Sequence, residues 1–231
     1  MKDISHLEAR LGADGLRLRG GFHPEGADRV PPMPSGGEVA TLFLIGAVGP
    51  SLWPSFTASP EAASGDAPLD RWSRHVIDSI AAELGGVALY PFGGLPYLPF
   101  VAWAKRAEPV AESPIGMLIH PDHGLWHAYR GALGFAERLP LPPQQHRPRP
   151  CDACVDRPCL SACPVGAFDG QRYAVDRCLD HLATEAGADC MEEGCRARRA
   201  CPVGVAERYA PAQAAFHMRA FFSNARARQA R

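Results

Sequence analysis

Cysteine is absent from the first 150 residues of this 231-residue chain, although eight cysteines lie between positions 151 and 201. A long apolar run is also absent, because the strongest one, residues 39–53, is too short to span a membrane and is interrupted by Gly46, Gly49 and Pro50. The N-terminus lacks the basic-then-apolar order of an export signal. We therefore expect a cytoplasmic protein without a membrane span, whose cysteines bind metal and do not form disulfides.

An excess of charge of one sign is lacking as well. The chain has 24 Lys and Arg residues and 25 Asp and Glu residues, which gives a formal net charge of -1. This balance gives no argument for a nucleic acid or a membrane surface, and we expect neither as a partner. Because 46% of the residues are hydrophobic, the chain is able to bury a sizeable core.

The cysteine-free part predicts a mixed domain of strands and helices, of class α+β. Residues 16–20 and 39–48 have the composition of strands, and residues 67–86 have the apolar periodicity of a helix. Residues 86–92 predict another strand, and a short helix is expected to start near Pro99. Two further strands, residues 115–121 and 124–135, are expected to be joined by the turn HPDHG.

Composition divides the chain into four segments. We assign residues 1–140 to an N-terminal domain and the proline-rich residues 141–150 to an extended connector. Residues 151–210 form the cysteine-rich domain, and residues 211–231 predict a C-terminal helix with a basic tail.

The first cysteine group predicts an iron–sulfur site. Its end, CLSACPVGAF, fits the bacterial ferredoxin run C-x2-C-x2-C-x3-C-P, in which the fourth cysteine binds the other cluster. The sequence ACPVG occurs twice, which suggests the two-fold symmetry of a protein with two 4Fe–4S clusters. One cluster is then expected on Cys151, Cys154, Cys159 and Cys201, and the other on Cys163, Cys178, Cys190 and Cys195.

Zinc is the alternative for these cysteines, because two groups of four thiolates are able to hold two zinc ions. Zinc sites usually contain paired C-x2-C knuckles, and only one such pair is present. Arg157, Arg196, Arg198 and Arg199 lie close in sequence to the cysteines, where positive charge stabilises a reduced cluster. Alternatively, these arginines only keep the surface of the cysteine-rich domain in contact with water, or they pair with nearby acidic residues.

The segment RCLDHLATE, residues 177–185, resembles the segment that follows the first cysteine run in epoxyqueuosine reductases. That resemblance implies that Cys178 is a cluster ligand. The late cysteines Cys190, Cys195 and Cys201 have wider gaps than in that family, and its catalytic acid motif is not found, so the catalytic residues are unknown and the queuosine reaction is not implied. Epoxyqueuosine reductases and reductive dehalogenases both place such a cysteine module behind a cobalamin-binding domain.

Residues 115–135 resemble the CblC cobalamin-processing proteins, whose fold is nitroreductase-like. The resemblance lies in Ile119, His120, Pro121, Gly124, Trp126, Arg130 and Gly131, whereas Leu125 replaces the second glycine of the family. It implies that residues 10–140 bind a corrinoid. The expected cofactor-binding residues are His120, Gly124, Trp126, Tyr129 and Arg130.

Three functions remain open at the level of sequence. The resemblance implies an oxidoreductase that passes single electrons from two clusters to a corrinoid. A redox donor protein of the ferredoxin or flavodoxin reductase type is expected to supply those electrons. The alternatives are a two-cluster ferredoxin carrier with a non-catalytic docking domain, and a reductase that binds FMN, a common ligand of the nitroreductase-like fold. From the residues alone, His120 is a structural histidine, and Trp126 and Tyr129 fit a protein core equally well.

Overall fold

The computed structural model describes residues 4–63, 65–143 and 146–229. The chain folds into two compact units, and neither is continuous in sequence. The N-terminal unit comprises the chain up to Pro109 together with His127–Arg147, and the cysteine unit comprises Val110–Trp126 together with Pro148–Arg231. Residues 110–126, which the sequence analysis placed in the N-terminal domain, therefore pack with the cysteines.

The strands are β1 (Arg17–Phe22), β2 (Thr41–Val48), β3 (Val87–Leu89), β4 (Ala111–Glu112), β5 (Leu118–Ile119) and β6 (His127–Phe135). The α-helices are α1 (Ile4–Ala13), α2 (Trp53–Thr57), α3 (Pro68–Leu84), α4 (Phe100–Ala107), α5 (Pro158–Ser161), α6 (Val175–Leu182), α7 (Ala188–Glu193), α8 (Arg196–Arg199) and α9 (Pro211–Gln229). This mixture agrees with the expected α+β class. None of the helices in the described ranges has the length and apolar character needed to cross a membrane.

The N-terminal unit contains a four-stranded antiparallel sheet in the order β1-β2-β6-β3. Every residue of β2 is buried, which confirms the buried strand predicted from its aliphatic and β-branched composition. Helix α4 packs against β1 and β2, and helix α3 packs against β3 and β6. The core of this unit therefore lies between the sheet and these helices.

Helix α3 confirms the helix predicted over residues 67–86. Pro68 occupies its first position, where the missing amide hydrogen costs nothing, and Trp72, Ile77 and Ile80 are buried along one face. Gly85 ends the helix with a φ of 62°, and its amide donates hydrogen bonds to the carbonyls of the last turn.

The two strands predicted over residues 115–121 and 124–135 exist in shorter form but do not pair with each other. β5 pairs with β4 in a two-stranded sheet, whereas β6 pairs with β2 and β3. The turn between them is closed by backbone hydrogen bonds in both directions between His120 and Gly124, each at 2.9 Å. Strand β6 then begins at His127 and belongs to the other sheet.

Helix α9 confirms the predicted C-terminal helix and packs against α6 and α7 within the cysteine unit. Residues 141–143 and 146–149 of the connector form neither helix nor strand, and its last residue begins the helical turn Pro150–Asp152. Residues 144–145 of the connector and residues 230–231 of the basic tail lie outside the described residues.

A buried ion pair links β1 to the end of α4. The side chain of Arg19 is only 2% exposed, and its guanidinium donates to both carboxylate oxygens of Glu108, at 2.7 and 2.8 Å. The Tyr129 hydroxyl also donates to this carboxylate, at 2.6 Å, and the Ala47 carbonyl accepts from Arg19 at 3.2 Å. The charge of Arg19 is therefore compensated inside the unit by a bidentate carboxylate.

Replacing Glu108 by Ala is expected to destabilise the N-terminal unit strongly, because the buried guanidinium of Arg19 would lose its counter-charge. The expected cost is about 3–5 kcal/mol, measured by urea unfolding followed by tryptophan fluorescence. The matched control is Glu83→Ala, which removes an exposed carboxylate that also pairs with an arginine, Arg10. A control effect as large as that of Glu108→Ala would contradict this prediction.

Candidate metal centres

The eight cysteines are free thiols, and the cysteine unit brings them together as two sets of four. In set 1, Cys201 joins the first three cysteines of the sequence, and all four line a single cavity. In set 2, Cys163 joins the three cysteines between positions 178 and 195. Set 1 is Cys151, Cys154, Cys159 and Cys201, and set 2 is Cys163, Cys178, Cys190 and Cys195. These are the same two sets that the crossed assignment names, and their ligation of clusters stays a prediction.

Short helices and turns present the thiols of set 1. Cys151 lies in a single helical turn, Pro150–Asp152, and Cys159 lies in α5. Cys201 follows α8 and is buried. Ile119 and Leu125 come from the segment before the connector and line the same cavity. The wall around set 1 is therefore built from two separate stretches of the chain.

Two thiols of set 2 lie in helices and two lie beside helix ends, with Cys163 just after α5. Cys178 lies in α6, Cys190 lies in α7, and Cys195 is the residue that precedes α8. The Tyr173 hydroxyl donates a hydrogen bond to the Cys178 sulfur. The Tyr173 ring is stacked on that of Phe168, with 4.5 Å between their centroids. This stacking holds the hydroxyl beside the thiol.

Burial makes these thiols poor acids in the absence of a cation. It raises the pKa of the thiols of Cys151, Cys159, Cys178, Cys195 and Cys201 above the ordinary value. Thiolates are the form that binds iron, and a bound metal ionises such thiols outright. The sites are therefore suited to thiolates that are neutralised by a metal group.

Backbone amides point at several of the sulfur atoms. The amide of Ala167 donates to the Cys163 sulfur at 3.3 Å, and the amides of Ala197 and Arg198 donate to the sulfur of Cys195. The Val203 amide donates to the Cys201 sulfur. Hydrogen bonds to sulfur stabilise thiolate charge and are one of the factors that set the reduction potential of a cluster.

A four-thiolate zinc site and an iron–sulfur cubane differ in how close the sulfur atoms must come to one another. Within residues 4–63, 65–143 and 146–229, no group of three or more His, Cys, Asp or Glu side chains is placed to hold a metal ion. Four thiolates on one zinc ion must converge, because each Zn–S bond is only about 2.3 Å long. A cubane binds each thiolate at a different corner and therefore keeps the sulfur atoms farther apart.

Gly124 is needed because another backbone segment passes close to it. Its φ is +56°, and a Cβ at this position would lie 2.0 Å from the Val203 carbonyl oxygen. Gly204 is in the reciprocal position, where a Cβ would lie 2.3 Å from the His123 carbonyl oxygen. Gly124 is one of the residues predicted to bind the cofactor. In this structure its missing side chain makes room for the backbone beside Cys201, and its role toward a cofactor stays a prediction.

Two other predicted cofactor residues also have partners within the cysteine unit. His120 is buried, and its Nδ1 accepts from the backbone amides of Asp122 and His123, at 3.1 and 3.3 Å. Trp126 is buried beneath the Arg198 guanidinium, which lies 4.4 Å from the ring centroid. The alternative role for Arg198 was solvation or pairing with an acidic residue. In this structure Arg198 instead interacts with the ring of Trp126.

Tyr129 and Arg130, the remaining predicted cofactor residues, lie in the N-terminal unit. Burial raises the pKa of the Tyr129 hydroxyl, which donates to Glu108. Arg130 donates to the Ser73 hydroxyl at 2.9 Å and forms an ion pair with Asp70. The five predicted cofactor residues are thus divided between the two units, and their binding of a corrinoid stays a prediction.

Sequence reasoning did not identify Ser113 and Tyr173. Ser113 lines the cavity of set 1, and Tyr173 contacts Cys178 of set 2. Tyr173 lies only five positions before Cys178, and this closeness in sequence could have suggested that the two residues are in contact. No signal in the sequence relates Ser113 to a cysteine 38 or more positions away.

No family model matches the chain, and no curated protein matches it. Among solved structures, it is similar to an epoxyqueuosine reductase with a tRNA-Tyr epoxyqueuosine-modified tRNA stem loop, with a TM-score of 0.48 and 17% identity over 90% of this chain and 68% of that chain. It is also similar to a selenomethionine-labelled epoxyqueuosine reductase, with a TM-score of 0.49 and 16% identity over 92% of this chain and 69% of that chain.

Neither similarity assigns a ligand or a partner to this chain. The tRNA stem loop belongs to the first of those structures, and the expectation that nucleic acid is not a partner here stays a prediction. The comparisons with CblC proteins and two-cluster ferredoxins remain resemblances of sequence.

Replacing Gly124 by Ala is expected to separate the HPDHG turn from the backbone beside Cys201, because the added Cβ would collide with the Val203 carbonyl. Iron bound by anaerobically purified protein should fall by about half, with set 1 affected. The matched control is Gly116→Ala, since Gly116 also has a positive φ, of +77°, but has no atom within 4 Å of the added Cβ. Equal iron loss in both variants would indicate backbone strain instead of a collision.

Proposed function

We propose that the protein is an iron–sulfur oxidoreductase that holds two 4Fe–4S clusters in its cysteine unit and transfers single electrons from them to a corrinoid. The observation that carries the iron–sulfur part is the position of Cys201 in the cavity of Cys151, Cys154 and Cys159. This crossing of sequence groups is the arrangement of two-cluster ferredoxins. It is not expected for two independent zinc knuckles, which bind through consecutive cysteines.

The cysteine unit supplies what a pair of clusters requires. Each set offers four thiols, partial burial and hydrogen bonds from amides or a hydroxyl to sulfur. The clusters supply one-electron chemistry when bound, and this chain's residues hold them and limit their contact with water. The electrons must come from outside the chain, and we propose a reduced carrier of the ferredoxin or flavodoxin type as the donor.

The corrinoid part of the proposal comes from the resemblance of residues 115–135 to CblC proteins. A corrinoid accepts one electron at a time, so it matches a one-electron donor without a two-electron intermediary. Reductive removal of an axial ligand, or a corrinoid-dependent reduction, would be the resulting reaction.

A two-cluster ferredoxin carrier is the second candidate, and a specific observation favours it. His120, Gly124 and Trp126 are in contact with other residues of the cysteine unit. These contacts explain the presence of three residues of the CblC-like pattern without requiring that a corrinoid binds there. In this alternative, the N-terminal unit would dock a redox partner.

The cluster assignment predicts about eight irons and eight labile sulfides per chain in protein purified without oxygen. Cys201→Ser should damage the cluster of set 1, and Cys163→Ser should damage that of set 2, each with loss of about half the iron. Electron paramagnetic resonance of the dithionite-reduced protein would identify which signal disappears. The crossed assignment is wrong if Cys201→Ser and Cys195→Ser remove the same signal.

The corrinoid proposal predicts that hydroxocobalamin changes its visible spectrum when anaerobic protein is added. Reduction of the bound corrinoid by a limiting one-electron donor should be faster with intact clusters than with Cys163→Ser. A parallel titration with FMN tests the flavin alternative. If neither ligand binds while iron content is complete, the oxidoreductase proposal fails and the carrier candidate replaces it.

A further inference from the structure

Ser113 begins the loop that joins β4 to β5, and the hairpin determines its backbone position. Its amide donates to the Met117 carbonyl at 2.8 Å, and its carbonyl accepts from the Gly116 amide at 2.9 Å. Gly116 has a positive φ, which closes the loop, and Pro114 restricts the intervening backbone. Both backbone groups of Ser113 are therefore satisfied locally, and its hydroxyl has no part in forming the turn.

The hydroxyl of Ser113 is buried without a partner. The residue is 7% exposed, and within the part of the chain that the structure describes its Oγ has no hydrogen-bond partner. Buried hydroxyls are normally hydrogen-bonded, because losing contact with water is otherwise uncompensated. This hydroxyl therefore requires an acceptor that belongs to something bound beside it.

Ser113 lines the same cavity as the four cysteines of set 1. The neighbouring walls are apolar and include Ile119 and Leu125, which are 2% and 1% exposed. Such walls provide no acceptor for an O–H group. The sulfur atoms of an iron–sulfur group bound by set 1 would be the acceptors available in this cavity.

We propose that the Ser113 hydroxyl donates a hydrogen bond to a sulfur atom of the cluster held by Cys151, Cys154, Cys159 and Cys201, and thereby raises the reduction potential of that cluster. This inference rests on the proposed iron–sulfur function. Reduction adds negative charge to the cluster and makes its sulfur atoms better acceptors. A donated hydrogen bond therefore stabilises the reduced form more than the oxidised form.

Set 2 offers a natural comparison. Its hydroxyl donor is Tyr173, which contacts Cys178 and lies in the aromatic stack with Phe168. Removing the hydroxyl of Ser113 should alter only the couple of set 1, and removing that of Tyr173 should alter only the couple of set 2. The two variants therefore control for each other.

The test is an anaerobic redox titration of the full chain, followed by electron paramagnetic resonance, with Ser113→Ala, Ser113→Thr and Tyr173→Phe. Ser113→Ala should lower the reduction potential of one cluster by about 59 mV, which is a tenfold change in the equilibrium constant of a one-electron couple. Ser113→Thr, which keeps the hydroxyl, should preserve the potential of the unsubstituted protein. Tyr173→Phe should shift the other couple.

Iron and sulfide are measured on every variant before the titration. If Ser113→Ala retains its full iron content and both potentials are unchanged, the proposed hydrogen bond is refuted. Equal shifts for Ser113→Ala and Ser113→Thr would also refute it, because altered packing would then explain the change. Absence of iron and sulfide from the unsubstituted protein would instead refute the proposed function, so the two failures are distinguishable.

Discussion

Two backbone segments approach each other so closely in the cysteine unit that only glycine fits at the contact. Gly124 faces the Val203 carbonyl and Gly204 faces the His123 carbonyl. This reciprocal contact joins the HPDHG turn to the end of the second ACPVG sequence. It brings Leu125 into the wall around set 1, and it accompanies the interaction of Arg198 with Trp126. The hairpin before the connector thereby becomes part of the surroundings of the first four thiols.

Patterns that are local or repeated were readable from the sequence. The periodicity of α3, with Pro68 at its start and Gly85 at its end, needs only neighbouring residues, and the structure agrees with it. The aliphatic composition of β2 predicted full burial for the same reason. The repeated ACPVG led to the two sets of thiols that the structure brings together, because the repeat encodes a symmetry that spans the distance between them.

Properties that depend on distant partners were not readable. The composition of β5 and β6 did not show that the two strands belong to different sheets. It also did not show that residues 110–126 belong to the cysteine unit. The residue that Gly124 contacts, Val203, is 79 positions away, so the sequence alone suggested a cofactor as the partner of Gly124 and not another backbone segment. The sequence also did not show that Ser113 is buried with its hydroxyl unpaired among the described residues. The hydrogen bonds of its turn involve only the backbone groups of Ser113.

The discontinuity of the cysteine unit determines the order in which it is able to form during synthesis. The hairpin of residues 110–126 leaves the ribosome before any of these eight cysteines does, whereas Cys201 and Gly204 emerge after the other seven. At about 5–20 residues per second, Ile119 and Leu125 wait several seconds for the segment that covers them. Set 1 is therefore completed only after all four thiols of set 2 have been synthesised, although three of its own thiols come first in the sequence.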